Sequence, residues 1–399
     1  MSSATRNSSR ILEHARLVLP DGAVENSALL IEESRIASVS PSETERPAPA
    51  ATNNLTGLTL YPGMLDVHIH GAVGVDTMAA SKEDLSRVSR FLAASGVTGW
   101  LPTLVPAASS DYENAVRAIE ELMNEQQEEV AVNSGARVLG VHYEGPFVNA
   151  SQCGALHRAH FKSFGSSSDL DALPTPQVAS VVRMMTVAPE VDGGIELIQE
   201  LVGRGWIVSL GHTRADVETL DRALAAGAHH MTHFMNAMPQ LHHRAPGPVG
   251  WGLGRDDVTC DLIADGVHVD PLMLRVLLRL KGSERLALIS DAIAAAGQGD
   301  GDYRIWGETI AVRNGRTSNE KGSIAGSVIT MLDAAKTMRS LGASEVELAR
   351  MTATNPAELV GIDRDCGSIE VGKRADLVAV DRNGNVRLSI IGGEIVYES

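Results

Sequence analysis

Five short segments of this 399-residue chain each close an apolar, strand-like run on a histidine or a carboxylate. They are LDVHIHG (65–71), VHYEGP (141–146), VSLGHT (208–213), MTHFMNA (231–237) and LISDA (288–292). Residues i and i+2 of a strand point to the same side, so His68 and His70 share a face. Glu144, His212, His233 and Asp291 follow, one per strand. Taken singly, each has an ordinary structural role. His68 and His70 could be polar strand-end residues, Glu144 a loop or cap residue before Gly145-Pro146, and the later histidines hydrogen-bonded members of a core. Taken in this order, all at strand C-termini, they point to a divalent-metal hydrolase. Imidazole nitrogen and carboxylate oxygen suit zinc, iron, cobalt or manganese alike. A catalytic site of this type keeps one ligand position open for water and lowers that water's pKa towards neutrality. Asp291 arrives last and suits a general base that takes the water proton and hands it to a leaving group.

Between residues 63 and 362 strand and helix patterns alternate. The strands are LDVHIHG, VTGWLPTLV (97–105), ARVLGVHYEG (136–145), VVRMMTVAPE (181–190), WIVSLGHT (206–213), HHMTHFMNA (229–237), VTCDLIADGVH (258–268) and LALISDA (286–292). Several are near-continuous apolar runs, as buried parallel strands should be. The helices between them carry end signals: Ser81 as N-cap with Asp84 at N3, and Pro271 at N1. Eight such units predict a (β/α)8 barrel with its site at the strand C-terminal ends, where all six residues lie. Residues 1–62 and 363–399 alternate with period 2, interrupted by a proline-marked loop at 41–51 and a turn at Asn383-Gly384-Asn385. Two β-rich ends around an α/β middle predict one small β-domain built from both termini.

A barrel of about 250 residues leaves over a hundred of the 399 for that second unit. The net charge of −16 argues against nucleic acid and anionic membranes as partners. It also means that an anionic substrate needs a local cation. No apolar run approaches the ~20 residues of a membrane span, and the first twenty residues show no signal-peptide pattern. Cys153, Cys260 and Cys366 are odd in number and widely spaced, which fits a reducing cytoplasm better than a disulfide framework.

Two further features face the expected mouth. Arg244, in the loop HHRAPGP (242–248), is either a bidentate phosphate or carboxylate contact or a solvated loop residue. His268, closing DGVH (265–268), is either a ligand contact or a capping histidine.

The chain resembles the N-acetylglucosamine-6-phosphate deacetylases of the amidohydrolase superfamily, over nearly its whole length. The motifs are PGMLDVHIHG, HYEGPF, GHT, THFMNAM, HHRAPG, DGVH, SDA, SIAGS (323–327), NPAELVG and GSIEVGKRADLV. The resemblance implies a distorted (β/α)8 barrel with a small β-sandwich from both termini, and a homodimer. It implies that Glu144, His212 and His233 hold the main metal, with Asp291 as general base and then general acid. It places Asn236, Ala237 and Arg244 on a sugar phosphate, His268 on the substrate, and Ile324, Ala325 and Gly326 along its pocket. The fourth strand contains no lysine, in keeping with a glutamate on the third strand doing the work of the carboxylated lysine of other amidohydrolases. His68 and His70 leave room for a second metal. In QCGALHRAH (152–160) Ala155 and His157 are candidate substrate contacts, but Leu156 falls where the family carries a histidine or glutamine, unless His157 is shifted in by one position.

The expected reaction is removal of the acetyl group from N-acetyl-D-glucosamine 6-phosphate. The alternatives are the galactosamine epimer or another N-acyl amino sugar, and a non-enzymatic barrel scaffold.

Overall fold

The computed structural model describes residues 9–41, 50–128 and 135–399. The loop expected around Pro47 and Pro49 lies outside the described residues. Eight strands form the barrel: Met64–Ile69, Val97–Leu104, Gly140–Glu144, Val182–Val187, Ile207–Leu210, His230–Met231, Thr259–Ile263 and Leu286–Ile289. Each expected barrel strand is present. Neighbours pair in parallel from the first strand through to the eighth. The ring closes less regularly. The Asp291 N–H donates to the carbonyl of His68 at 2.9 Å, and the His70 N–H donates to that of Ala292 at 2.8 Å. Bulges interrupt the first strand's register around Asp66–Ile69. This distortion sits beside the functional residues, where bulges commonly re-aim side chains.

The helices begin where the caps predict. Lys82–Ala94 starts from Ser81, whose hydroxyl accepts from the Asp84 N–H while the Asp84 carboxylate accepts from the Ser81 N–H. Pro271–Lys281 has Pro271 in its first turn and Asp270 as its cap. The main core lies between helices and strands. A second cluster, with Leu65, Leu101, Met184, Ile263 and Ile289, packs against Ala357 and Val360.

Both chain ends enter one eight-stranded sheet. Strand Thr59–Pro62 sits between Ser9–Leu19, which it joins in parallel, and Leu377–Val380, which it joins antiparallel. This sheet has its own apolar cluster, including Leu12, Leu29, Leu60, Leu377 and Ile390, consistent with the small β-sandwich expected from the period-2 termini. One element was not anticipated from the sequence. After the eighth barrel strand the chain makes a three-stranded sheet, Gly301–Ile305, Glu308–Arg313 and Arg316–Ser318. The segment 323–327 then returns to the barrel mouth, where Ser327 bridges to Ala292.

Candidate active site

The strand ends bring five ligand-type side chains into one buried cluster. His68, His70, Glu144, His212 and His233 are each at most 4% exposed. Glu144 is the hub. Its Oε1 lies 2.9 Å from both His212 Nε2 and His233 Nε2, and its Oε2 lies 3.3 Å from His70 Nε2. His68 Nε2 and His70 Nε2 are 3.2 Å apart, as are His212 Nε2 and His233 Nε2. Two trios emerge, His68–His70–Glu144 and Glu144–His212–His233, each with donor atoms within 4.8 Å of one another. Buried imidazole nitrogens this close, facing one carboxylate, are the donor set of a cation shared between them. The residues therefore fit a divalent cation, which the fold family implies.

The local electrostatics agree. Burial pushes Glu144 up, but hydrogen bonds from His212, His233 and His70 more than offset it and hold the carboxyl well below its usual range. Burial drives His68 well down, so its ring is neutral and ligand-competent. His70 differs. Burial lowers it, but hydrogen bonds to Asp291 and Glu144 prevail and raise it to about 10.

Asp291 follows the eighth strand, 7% exposed, with Oδ1 at 3.2 Å from His70 Nε2 and 3.5 Å from His68 Nε2. Its φ is +48°, and His212, His233, Met235 and Ala237 also have positive φ, between +30° and +77°. Non-glycine residues seldom adopt this conformation. Five of them, just beyond the ends of the fifth, sixth and eighth barrel strands, mark backbone held in place by its surroundings, a habit of functional sites. Gly326 must be glycine for a related reason. Its φ is +57°, and a Cβ there would come 2.9 Å from the Asp291 carbonyl oxygen and 2.6 Å from Ile293.

The cluster opens into a pocket. Of the substrate contacts expected from the sequence, Asn236, Ala237, His268, Ile324, Gly326 and Ala155 line it. Ala325 is fully buried beside it instead. His268 is anchored by Asp265, whose Oδ2 is 2.7 Å from its Nδ1. Two candidates point elsewhere. The Arg244 side chain is exposed and donates to His243 Nε2 at 2.8 Å, away from the lining. His157 does not shift inward; its Nε2 donates to the carbonyl of Trp306 at 2.6 Å, and Leu156 lines the pocket.

Sequence reasoning missed four contributors. Asp66 is fully buried, and its Oδ2 accepts from Ser290 Oγ at 2.6 Å. It belongs to the series 66, 68, 70, so the strand period could have found it. His142 lies edge-on beneath His68, with ring centroids 4.7 Å apart. Burial lowers it to about 4, so it is neutral. Its Nδ1–H then donates to the Val67 carbonyl at 3.0 Å, and its Nε2 accepts from Thr186 Oγ1 at 2.8 Å. Trp306 and Ser323 also line the pocket. Ser323 opens the SIAGS motif and could have been named with Ile324, Ala325 and Gly326, whereas Trp306 comes from the unanticipated insertion, where no local signal marks it.

Comparison with known proteins agrees with this architecture. The model of the amidohydrolase family matches residues 59–396. The N-acetylglucosamine-6-phosphate deacetylase of Bacillus subtilis is 35% identical over 98% of this chain and 98% of its own. The N-acetylgalactosamine-6-phosphate deacetylase of Escherichia coli O157:H7 is 33% identical over 96% of this chain and 98% of its own. A crystal structure of a Mycobacterium smegmatis N-acetyl-D-glucosamine-6-phosphate deacetylase mutant, in complex with N-acetyl-D-glucosamine 6-phosphate, superposes with a TM-score of 0.86 at 31% identity, covering 98% of this chain and 99% of that one. With a divalent-cation donor set at the mouth of a parallel barrel, this chain belongs to the amidohydrolase family.

Proposed function

We propose that this protein hydrolyses the acetamide of N-acetyl-D-glucosamine 6-phosphate to D-glucosamine 6-phosphate and acetate, in amino-sugar catabolism or cell-wall sugar recycling. The observation that carries the reading is the buried convergence of Glu144, His212 and His233 with Asp291 at the pocket floor. The B. subtilis relative, matched end to end, is named for this reaction.

In this reading Glu144, His212 and His233 hold the main divalent cation, zinc first, with iron, cobalt or manganese as alternatives. His68 and His70, sharing Glu144, are the candidates for a second. When bound, such a cation polarises an amide carbonyl and acidifies water. Asp291 takes the proton of the attacking water as oxygen adds to the carbonyl carbon. It returns that proton to the amine nitrogen as the C–N bond breaks. His142 and Asp66 hold the rings and backbone around this centre. Asn236, Ala237 and His268 orient the sugar, the segment 324–326 walls it, and Arg244 in its exposed loop is the proposed partner of the phosphate. We further propose a small β-domain from residues 1–62 and 363–399 around a barrel of 63–362, a homodimer, and a cytoplasmic location. Among the described residues, no helix is long and apolar enough to cross a membrane.

The E. coli relative supports a second reading, the galactosamine epimer. The experiment is a direct assay on both sugar phosphates, with metal analysis of the same preparation. Turnover of the glucosamine compound at the higher kcat/KM supports the first reading, and the reverse order supports the second. No turnover of either overturns both and returns the scaffold alternative.

A further inference from the structure

One side of the pocket is apolar where the chemistry just described calls for no apolar group. Ala155 and Leu156 come from the loop after the third barrel strand, and Trp306 from the insertion after the eighth. The Trp306 ring stands edge-on to His70 with centroids 5.2 Å apart. His70 in turn reaches Asp291 and Glu144 at 3.2 and 3.3 Å. The indole is thus one ring away from the groups that act on the scissile carbonyl.

The wall is assembled from distant parts of the chain. His157 Nε2 donates to the Trp306 carbonyl at 2.6 Å, which ties the loop to the insertion. Trp306 packs on two apolar clusters at once, one holding Leu156 with Val148 and the other holding Ala325. Its φ of +51°, followed by Gly307 at +77°, is that of the two-residue hairpin turn joining Gly301–Ile305 to Glu308–Arg313, which sets the indole at the tip of the hairpin.

We propose that Trp306 and Leu156 form the acyl wall of the site and limit the N-acyl chain that the enzyme accepts to acetyl. The proposal rests on the reading that the substrate is an N-acyl amino-sugar phosphate. The acyl carbon chain and the sugar nitrogen hang from the same carbonyl carbon. With that carbon held at Asp291 and the histidine cluster, the first acyl carbon needs an apolar neighbour beside His70. Of the large apolar lining groups Leu156, Trp306 and Ile324, Trp306 stands against His70 and packs on the cluster that holds Leu156. The polar lining, with Asn236, His268 and Ser323, is matched to hydroxyl groups instead. A sugar face stacked on the indole is the rival use of this tryptophan, and the test separates the two.

The test measures kcat/KM for the N-acetyl, N-propionyl and N-butyryl forms of glucosamine 6-phosphate. The proteins are the zinc-loaded wild type, Trp306→Ala, Trp306→Phe and, from the other side of the wall, Leu156→Ala. One methylene in a shaped apolar pocket is worth about 10–200-fold. The wild type should therefore lose about tenfold or more per added carbon. Trp306→Ala should raise the propionyl-to-acetyl ratio about tenfold or more, Leu156→Ala should raise it by a smaller factor, and Trp306→Phe should stay near the wild type. A uniform loss on all three substrates, with the ratio unchanged in both alanine variants, overturns the acyl wall and is the outcome that sugar stacking predicts. If Trp306→Ala is recovered unfolded by circular dichroism, the Leu156→Ala ratio decides alone. A wild type inactive on all three substrates sinks the functional reading itself, a different result from an unchanged ratio.

Discussion

Ser290 Oγ donates to Asp66 Oδ2 at 2.6 Å across 224 residues of sequence. The contact fastens the middle of the first barrel strand to the residue just past the eighth, one residue before Asp291. Ser290 N–H also donates to Asp66 Oδ1 at 3.2 Å. The ring's least regular seam is thus held by a buried carboxyl directly under His68 and Asp291.

Replacing that carboxyl tests the seam. Burial, the largest influence on Asp66, pushes it up to about 7, so a neutral side chain of the same shape is a close substitute. Asp66→Asn should stay within about 1 kcal/mol of the wild type. Asp66→Ala takes the acceptor from the Ser290 O–H and N–H, leaving two buried donors unpaired although Ser290 Oγ still accepts from the Ala292 N–H, a cost of about 1–3 kcal/mol. Urea unfolding of the two variants side by side checks this. Equal stability of both would remove Asp66 from the role of fastener.

Asp291→Asn should keep the fold and the metal but lose about 10²–10⁴-fold in kcat. The carboxamide can orient a water, yet it cannot carry the proton between water and amine. A variant with full metal content and turnover within a few-fold of the wild type would place the base elsewhere.

Glu144→Ala, His212→Ala and His233→Ala should each empty the main cation site, because three protein ligands plus water already complete a catalytic centre. The double variant His68→Ala with His70→Ala should lose at most one ion. Metal per subunit, by inductively coupled plasma mass spectrometry, separates the two trios. A metal-free double variant beside a fully loaded His233→Ala would reverse the assignment. Chelation should abolish turnover in the wild type, and added zinc should restore it.

Arg244→Ala should act on the phosphate alone. A charge-assisted hydrogen bond is worth about 1.5–3 kcal/mol, so kcat/KM on the sugar phosphate should drop by one to two orders of magnitude. Turnover of unphosphorylated N-acetylglucosamine, slow throughout, should barely change. The ratio of the two substrates in wild type and variant is the readout. An unchanged ratio would leave Arg244 as the solvated loop residue that its exposed side chain resembles.

The barrel and its chemistry were readable because both are written locally. Buried parallel strands show as short apolar runs. Residues 68 and 70 share a face by the strand period, and Glu144, His212, His233 and Asp291 each close a run that the structure confirms as strand or strand end. Capping signals at Ser81 and Pro271 set helix starts for the same reason, since the first turn is closed by near neighbours. The tertiary structure decided what depends on distant partners. Only the closing of the ring puts Ser290 on Asp66 and His142 under His68. Only the insertion after the eighth strand brings the Trp306 ring to His70, and the Trp306 carbonyl, a separate contact, holds His157 while Leu156 faces the pocket. The sequence by itself determined which histidines and which glutamate could gather around a cation, because strand periodicity carries that information over a few residues. The walls that choose the substrate come from loops, and their positions are fixed by contacts spanning more than a hundred residues, which no local pattern encodes.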